Sequence, residues 1–185
     1  MMDEKVEEVV AKHEKGLVMV LTGNGKGKTT SALGQALRAI GHGFRVSMIQ
    51  FMKGRKYGEI IAAEKYLPDF TVENFGLDSF VMKDKPAPVD IDLAQKGLER
   101  ARELIMSENY DMIILDEINV ALDFKLLSLE ETLELIRTKP PKLTLILTGR
   151  NVPAEIVEIA DMVSEVREIK HHYASGIKDR AGIEH

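Results

Sequence analysis

The sequence contains no cysteine and no tryptophan, and aromatic residues make up only 5% of its 185 positions. The lack of cysteine excludes disulfide bonds, zinc–thiolate sites, iron–sulfur clusters and a thiol nucleophile. No apolar run approaches the roughly 20 residues that cross a bilayer. The sequence begins Met-Met-Asp-Glu-Lys and does not have the basic segment followed by an apolar segment that is typical of a signal peptide. We therefore expect a cytoplasmic protein without a membrane partner.

Charged and apolar residues occur in the proportions of a soluble domain. There are 25 basic and 30 acidic residues, so the formal net charge is −5 with neutral histidines. This overall charge argues against nucleic acid as a partner. Apolar residues make up 44% of the sequence and charged residues 30%, which suffices for a core and excludes general disorder. The length fits one compact domain.

The apolar pattern predicts strands that alternate with helices along the sequence. Residues 1–15 are predicted to form an amphipathic helical arm that ends at Gly16, with valines at helical spacing, and residues 16–185 form the main domain. Strands are predicted at Leu17–Leu21, Arg45–Phe51, Phe70–Phe75, Asp111–Leu115, Leu143–Leu147 and Met162–Ile169. The alternation predicts an α/β fold with a mostly parallel sheet flanked by helices.

Helix boundaries follow from capping residues, glycines and prolines. One helix follows a glycine-rich turn and is closed by Gly41–Gly43, and another spans Glu59–Leu67. Asp90 is predicted to cap a third helix after a long loop, 76–89. Ser128 and Glu131 form a capping box for a fourth helix. A short helix is predicted at Pro153–Ala160.

The segment Thr22–Thr30, which reads TGNGKGKTT, lies between the first strand and its helix and predicts a phosphate site. Glycines let backbone N–H groups converge on an anion at a helix N-terminus. Lys28, an exposed loop side chain in this interpretation, can reach phosphate oxygens as the catalytic lysine, and the Thr29 hydroxyl can bind Mg²⁺. The predicted nucleotide-binding residues are Gly23, Asn24, Gly25, Lys26, Gly27, Lys28, Thr29 and Thr30.

The glycine spacing departs from the strict P-loop pattern, because Thr22 stands where that pattern has its first glycine. An ordinary glycine-rich turn is the alternative interpretation. A dinucleotide fingerprint is excluded, since its third glycine would fall at Lys28.

The apolar segment 112–117 ends in Asp116 and Glu117 and predicts the acidic strand that helps hold Mg²⁺ in P-loop proteins. A solvated acidic turn is the alternative. Polar groups also follow other predicted strands, and the carboxyl ends of parallel strands form the usual ligand crevice. These groups are Gln50, Phe51 and Lys53 after the second strand, Thr148–Arg150 after the fifth, and His171–Tyr173 after the last. Each could equally be a solvated loop residue, and we interpret His171 and His172 as surface groups on opposite sides of a strand.

Several motifs occur in one order: TGNGKGKTT, QFMKG at Gln50–Gly54, LDEI at Leu115–Ile118, LTGR at Leu147–Arg150, and AGIE near the end of the sequence. Together they resemble the P-loop family of ATP:cob(I)alamin (corrinoid) adenosyltransferases from about Gly16 onward. The sequence has no Asn-Lys-x-Asp guanine motif, so a GTPase is not expected.

The resemblance implies a RecA-like P-loop NTPase fold, typically as a homodimer. It also implies transfer of the 5′-deoxyadenosyl group of ATP to the cobalt of a reduced corrinoid, with release of triphosphate and a requirement for Mg²⁺ or Mn²⁺. In that family ATP lies reversed in the loop. Because neither cysteine nor a flavin motif is found in the sequence, we expect an external reductant such as a flavoprotein.

Site residues can be assigned from the same resemblance. Gly23 to Thr30 would hold triphosphate, and Arg38 would lie near the nucleoside. Thr29 and Glu117 would hold the metal, with Asp116 nearby. Relatives place a phenylalanine and a tryptophan after the glycine equivalent to Gly76, where this sequence has Leu77 to Phe80. The predicted corrinoid-contacting residues are Phe51, Lys53, Leu77, Phe80 and Arg150.

Two other functions remain open at this stage. The first is a P-loop ATPase that acts as a switch or motor, with Glu117 polarising water for hydrolysis of the γ-phosphate. The second is a regulatory nucleotide-binding module without turnover. The products distinguish them: adenosylcorrinoid with triphosphate, ADP with phosphate, or neither.

Overall fold

The computed structural model describes residues 15–79 and 81–183. The predicted arm at residues 1–15 therefore lies, except for Lys15, outside the described residues, as does Phe80. In the two described ranges, no helix combines the length and apolar character needed to cross a membrane.

The described residues form strands and helices in alternation. The strands are β1 (Val18–Thr22), β2 (Val46–Phe51), β3 (Phe70–Phe75), β4 (Met112–Asp116), β5 (Thr144–Thr148) and β6 (Met162–Glu165). The α-helices are α1 (Lys28–Ile40), α2 (Gly58–Tyr66), α3 (Pro88–Met106), α4 (Ile118–Asp123), α5 (Leu129–Thr138) and α6 (Ala154–Ile159). A short 3₁₀ helix spans His172–Ser175.

All six strands form one parallel sheet in the order β3-β2-β4-β5-β1-β6. Only β5 lies between β1, which precedes the glycine-rich turn, and β4, which ends at Asp116. Parallel strands bring their carboxyl ends to one edge, where ligands bind in such sheets. The predicted α/β fold with a parallel sheet and flanking helices is confirmed.

Two apolar layers cover the faces of the sheet. Helices α3, α4, α5 and α6 pack against one face around Ile49, Phe51 and Leu115. Helices α1 and α2 pack against the other face around Met48 and Ile114. Every residue of β2 and β4 is buried, as expected for central strands covered on both sides.

The observed elements differ from the predicted ones mainly at their ends. β6 stops at Glu165 rather than Ile169, because β1 is its one strand partner and β1 ends at Thr22. Helix α3 begins at Pro88, so Asp90 does not precede the helix. Its carboxylate accepts a hydrogen bond from the Ala87 N–H at 3.1 Å, within the first helical turn.

Two short elements, α4 and the 3₁₀ helix, were not predicted. With six and four residues they contain no full apolar period, and no proline marks their start as Pro153 marks the equally short α6. Of the two hydrogen bonds in the capping box predicted before α5, the one in which the Ser128 hydroxyl accepts the Glu131 N–H is confirmed.

Two helical glycines give a matched test of packing. A Cβ atom on Gly97 in α3 would lie 2.9 Å from a ring carbon of Phe51, whereas one on Gly34 in α1 would meet nothing within 4 Å. We expect Gly97→Ala to lower the free energy of unfolding by about 1–3 kcal/mol through overpacking. Gly34→Ala should raise it by about 0.5–1 kcal/mol, because alanine loses less backbone entropy. Urea titration of both variants measures this, and equal effects would contradict the close approach of α3 to the sheet.

Candidate active site

The glycine-rich turn connects β1 to α1 and presents the first turn of that helix to a cavity. Gly27 precedes the helix with a φ of 117°, a left-handed conformation that favours glycine. The Gly25 N–H donates to the Val166 carbonyl at 2.7 Å, which ties the turn to the segment after β6. Lys28, Thr29 and Thr30 of α1 line the cavity. Unpaired N–H groups at a helix N-terminus favour an anion there.

Lys28 is not the exposed loop residue that the sequence suggested. It is the first residue of α1, its side chain is 7% exposed, and its Nζ donates to the Gly25 carbonyl at 2.7 Å. Burial lowers the pKa of Lys28, and the nearby Glu117 carboxylate partly opposes this. The lysine is therefore held inside the turn, where a bound anion would favour its charged form.

Asp116, at the end of β4, is fully buried and accepts four hydrogen bonds. Its Oδ1 accepts from the hydroxyls of Thr29 at 2.8 Å and Thr148 at 2.7 Å. Its Oδ2 accepts from Lys53 at 2.6 Å and Gln50 at 3.1 Å. Burial alone would raise the pKa of Asp116. The positive charge of Lys53, together with the hydrogen bonds from Lys53, Thr148 and Thr29, outweighs this effect and holds the pKa below its usual range. Asp116 is therefore a structural anion at the centre of the site.

Lys53 shares this arrangement. Its Nζ lies 2.6 Å from Asp116 and 4.0 Å from Glu59. Burial lowers the pKa of Lys53, yet the carboxylates around it outweigh that effect and raise the pKa overall. Lys53 is thus a charged group at neutral pH, and it lines the cavity from the end of β2.

Glu117 differs from its neighbour Asp116. Its φ of 62° is a left-handed conformation, uncommon for a residue other than glycine, and it precedes α4. The Glu117 N–H donates to the Thr148 hydroxyl at 3.0 Å, so the backbone is fixed while the side chain lines the cavity. Burial raises the pKa of Glu117, and the negative charge of Asp116 raises it further.

The donor set of this region fits a magnesium ion bound together with phosphates. The Thr29 hydroxyl gives its proton to Asp116, which leaves an oxygen lone pair that a cation could use. Glu117, on the wall of the same cavity, has a carboxylate that could be a second oxygen ligand. Across the described ranges, no group of three or more acidic or histidine side chains could hold a metal by itself. Mg²⁺ commonly binds through one or two protein oxygens, with substrate phosphates completing the shell.

The cavity has a volume of about 730 Å³ and an excess of positive charge. Four cationic side chains and two carboxylates line it, together with the N-terminus of α1. The charged lining residues are Lys26, Lys28, Lys53, Arg150, Glu59 and Glu117. Because the cationic side chains outnumber the carboxylates, this wall suits a ligand with several negative charges, such as a polyphosphate.

The structure brings most, but not all, of the predicted nucleotide-binding residues to this cavity. Gly25 to Thr30 line it, whereas Gly23 and Asn24 do not. Asn24 instead borders a second, polar cavity that it shares with Arg150. Arg38 is exposed in the last turn of α1 and does not line the cavity.

The predicted corrinoid-contacting residues are scattered. Phe51 is fully buried in the core, so in this structure its side chain offers no surface to a ligand. Arg150 and Lys53 line the main cavity. Leu77 is 41% exposed and lies outside the cavity wall. Phe80 is not among the described residues.

Three functional-site residues were missed or undervalued. Gln50 was noted only for its position after a strand, yet its amide bridges Asp116 and Glu59 at 3.1 and 2.9 Å. The Thr148 hydroxyl donates to the Asp116 carboxylate and accepts the backbone N–H of Glu117. Its position at the end of a buried strand was the sequence signal that could have identified it. His171, interpreted as a surface group, lines the cavity.

Known proteins are similar to this sequence over nearly its whole length. Residues 14–185 match the family described as ATP:corrinoid adenosyltransferase BtuR/CobO/CobP. A corrinoid adenosyltransferase of Escherichia coli K12 is 37% identical over 98% of this chain and 93% of its own length. One from a Sinorhizobium species is 38% identical over 92% of this chain and 81% of its own length.

The fold is also found in a solved structure. A KaiC-like protein from Pyrococcus horikoshii has a TM-score of 0.55 and 19% identity, covering 84% of this chain and 75% of that one. At this identity the likeness shows the fold alone, whereas the family match and the curated relatives rest on sequence. The chain belongs to the ATP:corrinoid adenosyltransferase family.

Proposed function

We propose that this protein transfers the 5′-deoxyadenosyl group of ATP to the cobalt of a reduced corrinoid and releases triphosphate, in adenosylcobalamin biosynthesis or corrinoid salvage. The observation behind this proposal is the polyphosphate cavity around the N-terminus of α1, in a chain of the adenosyltransferase family. ATP is the co-substrate, and Mg²⁺ or Mn²⁺ is the proposed metal. Gly25 to Thr30, which line the cavity, are proposed to hold the phosphates. A contact of Gly23 or Asn24 with the phosphates, and of Arg38 with the nucleoside, stays a prediction from the family resemblance alone.

The proposed reaction makes a limited demand on the protein. The attacking atom, Co(I), belongs to the substrate, so no protein nucleophile and no general base are needed. The chain has to align C5′ with cobalt and to neutralise charge that develops on the departing triphosphate. Lys28 and the N-terminus of α1 are placed for the second task, while Thr29 and Glu117 would hold the metal. That metal, when bound, would neutralise further phosphate charge.

The corrinoid is proposed to lie beside this cavity, near Arg150, Lys53 and Leu77. Leu77 offers an exposed apolar side chain, and Arg150 a cation at the end of β5. A reduced corrinoid also requires an electron donor, for which we propose an external reductant such as a flavoprotein in the cytoplasm.

One observation favours a second candidate function, an ATPase. Glu117 lines the cavity, and its raised pKa brings the carboxyl closer to the range of a general base. In this alternative Glu117 would activate water for attack on the γ-phosphate.

Identification of the products tests the proposal. Incubated with MgATP and chemically reduced cobalamin, the protein should form adenosylcobalamin and triphosphate in equal amounts. Lys28→Met should lose about 100-fold or more of this rate, since one preorganised donor is worth that much. The variant should keep its unfolding midpoint, because burial already disfavours the charged lysine in the folded protein. ADP and phosphate as the main products would instead support the ATPase.

Glu117→Gln separates a metal ligand from a base. We expect the variant to need more Mg²⁺ for adenosyl transfer, with excess metal recovering part of the rate. Since the pKa of Glu117 is raised, the wild type should lose metal affinity as the pH falls toward that pKa, and the variant should lose this dependence. Titration of Mg²⁺ at several pH values measures both effects.

Glu59→Gln is the control for that titration, because Glu59 lines the same cavity but accepts its hydrogen bond from Gln50. Its Mg²⁺ dependence should resemble that of the wild type. Equal metal dependence in the wild type and Glu117→Gln would remove Glu117 from the ligand set.

A homodimer is also proposed, from the family and from two apolar surfaces. One is the valine stripe that the sequence predicts at residues 6–10, which lies outside the described residues. The other is the edge strand β6, where Met162 and Val163 are 37% and 40% exposed. Light scattering on the full chain at micromolar concentration should give the mass of a dimer. Val163→Lys should weaken the dimer if β6 forms the contact, and Val9→Lys if the stripe does. A monomeric wild type would contradict the proposal.

A further inference from the structure

The segment after β6 returns to the glycine-rich turn and forms one wall of the main cavity. The Val166 carbonyl accepts the Gly25 N–H at 2.7 Å, and the Ile183 carbonyl accepts a hydrogen bond from the Lys26 ammonium group at 2.7 Å. These two contacts hold the segment, residues 166–183, against the phosphate-binding turn at both of its ends. Gly182, Ile183 and His171 of this segment line the cavity.

The imidazole of His171 has a defined orientation and tautomer. Its Nδ1 accepts the backbone N–H of Tyr173 at 3.2 Å. The ring also stacks on His172, with centroids 4.5 Å apart and an interplanar angle of 29°. A nitrogen that accepts a backbone N–H bears no proton, so the neutral ring has its hydrogen on Nε2. His171 therefore offers one N–H donor that the backbone leaves unused.

The groups that share the cavity with His171 determine what this donor can bind. Lys28, Thr29 and Thr30 at the N-terminus of α1 form the part that favours anions. Of the two carboxylates on the wall, Glu59 already accepts from Gln50 at 2.9 Å, and Glu117 faces the proposed metal. An anion bound at the N-terminus of α1 would bring phosphate oxygens, which are strong acceptors for an N–H donor, into the cavity that His171 lines.

We propose that His171 is a further phosphate-binding residue, which donates its Nε2–H to the triphosphate part of the nucleotide. This inference rests on the proposed function, since it requires that the cavity hold triphosphate. His171 belongs to the segment after β6, whereas Lys28 belongs to α1, so the anion would be contacted by two separate parts of the chain that line one cavity.

Binding of inorganic triphosphate, measured by calorimetry in the presence of Mg²⁺, tests the inference without the transfer reaction. His171→Phe keeps a ring that can stack on His172 but removes the donor, and it should weaken triphosphate binding about tenfold or more. His171→Gln places an amide N–H near the former Nε2 position and should recover part of the affinity. His172→Phe is the matched control and should stay within about twofold of the wild type.

Each outcome bears on His171 separately from the overall function. Unchanged affinity in His171→Phe, or an equal loss in His172→Phe, overturns the inference even if the wild type forms adenosylcobalamin. A loss specific to His171→Phe, partly restored in His171→Gln, supports it. If such a loss occurs in a protein that forms no adenosylcobalamin, the phosphate contact stands and the proposed transfer reaction is rejected.

Discussion

The site is organised around one buried carboxylate, that of Asp116. A charge without solvent contact is tolerated only when its lone pairs are satisfied and an opposite charge is near. Its four donors come from α1, the end of β5, and the end of β2 together with the turn that follows it. The need to satisfy one anion therefore fixes the relative positions of the start of α1 and of three strand ends. Removal of any one donor would leave part of a buried charge unpaired.

The two adjacent acids illustrate how environment divides similar groups between different tasks. Asp116 is surrounded by donors, which hold its pKa low and make it a permanent anion. Burial raises the pKa of Glu117, and the negative charge of Asp116 raises it further, so the charge of Glu117 responds to what enters the cavity. A cation or a proton can thus be accepted at Glu117 without disturbing the framework beneath it. The division agrees with a reaction in which the protein holds charge in place and the substrates supply the reacting atoms.

The sequence was informative wherever a local pattern determines structure. The strands β1 to β5 were predicted to within one residue at each end, because uninterrupted apolar runs such as 112–115 are typical of strands buried on both faces. The end of β6 was not, because it depends on where its partner β1 ends. The glycine-rich turn and the two acids could be selected as site candidates because their pattern along the chain is itself the motif, and the structure brings Gly25–Thr30 and Glu117 to one cavity. The burial of Phe51, by contrast, depends on the close approach of Gly97 from a distant helix. The roles of Gln50, Thr148 and His171 likewise arise from strand order and from the returning C-terminal segment, which no local window contains.

The strand order has a consequence for how the chain reaches its folded state. β1 pairs with β5 and β6, which are the last two strands of the sequence. During synthesis this apolar segment leaves the ribosome long before β5 and β6 have been made. It therefore stays unpaired and exposed while most of the protein is synthesised. Long-range parallel pairing of this kind is slow to form and exposes the chain to aggregation. Production of this protein in cells should therefore depend on chaperones and on temperature more than its modest size would indicate.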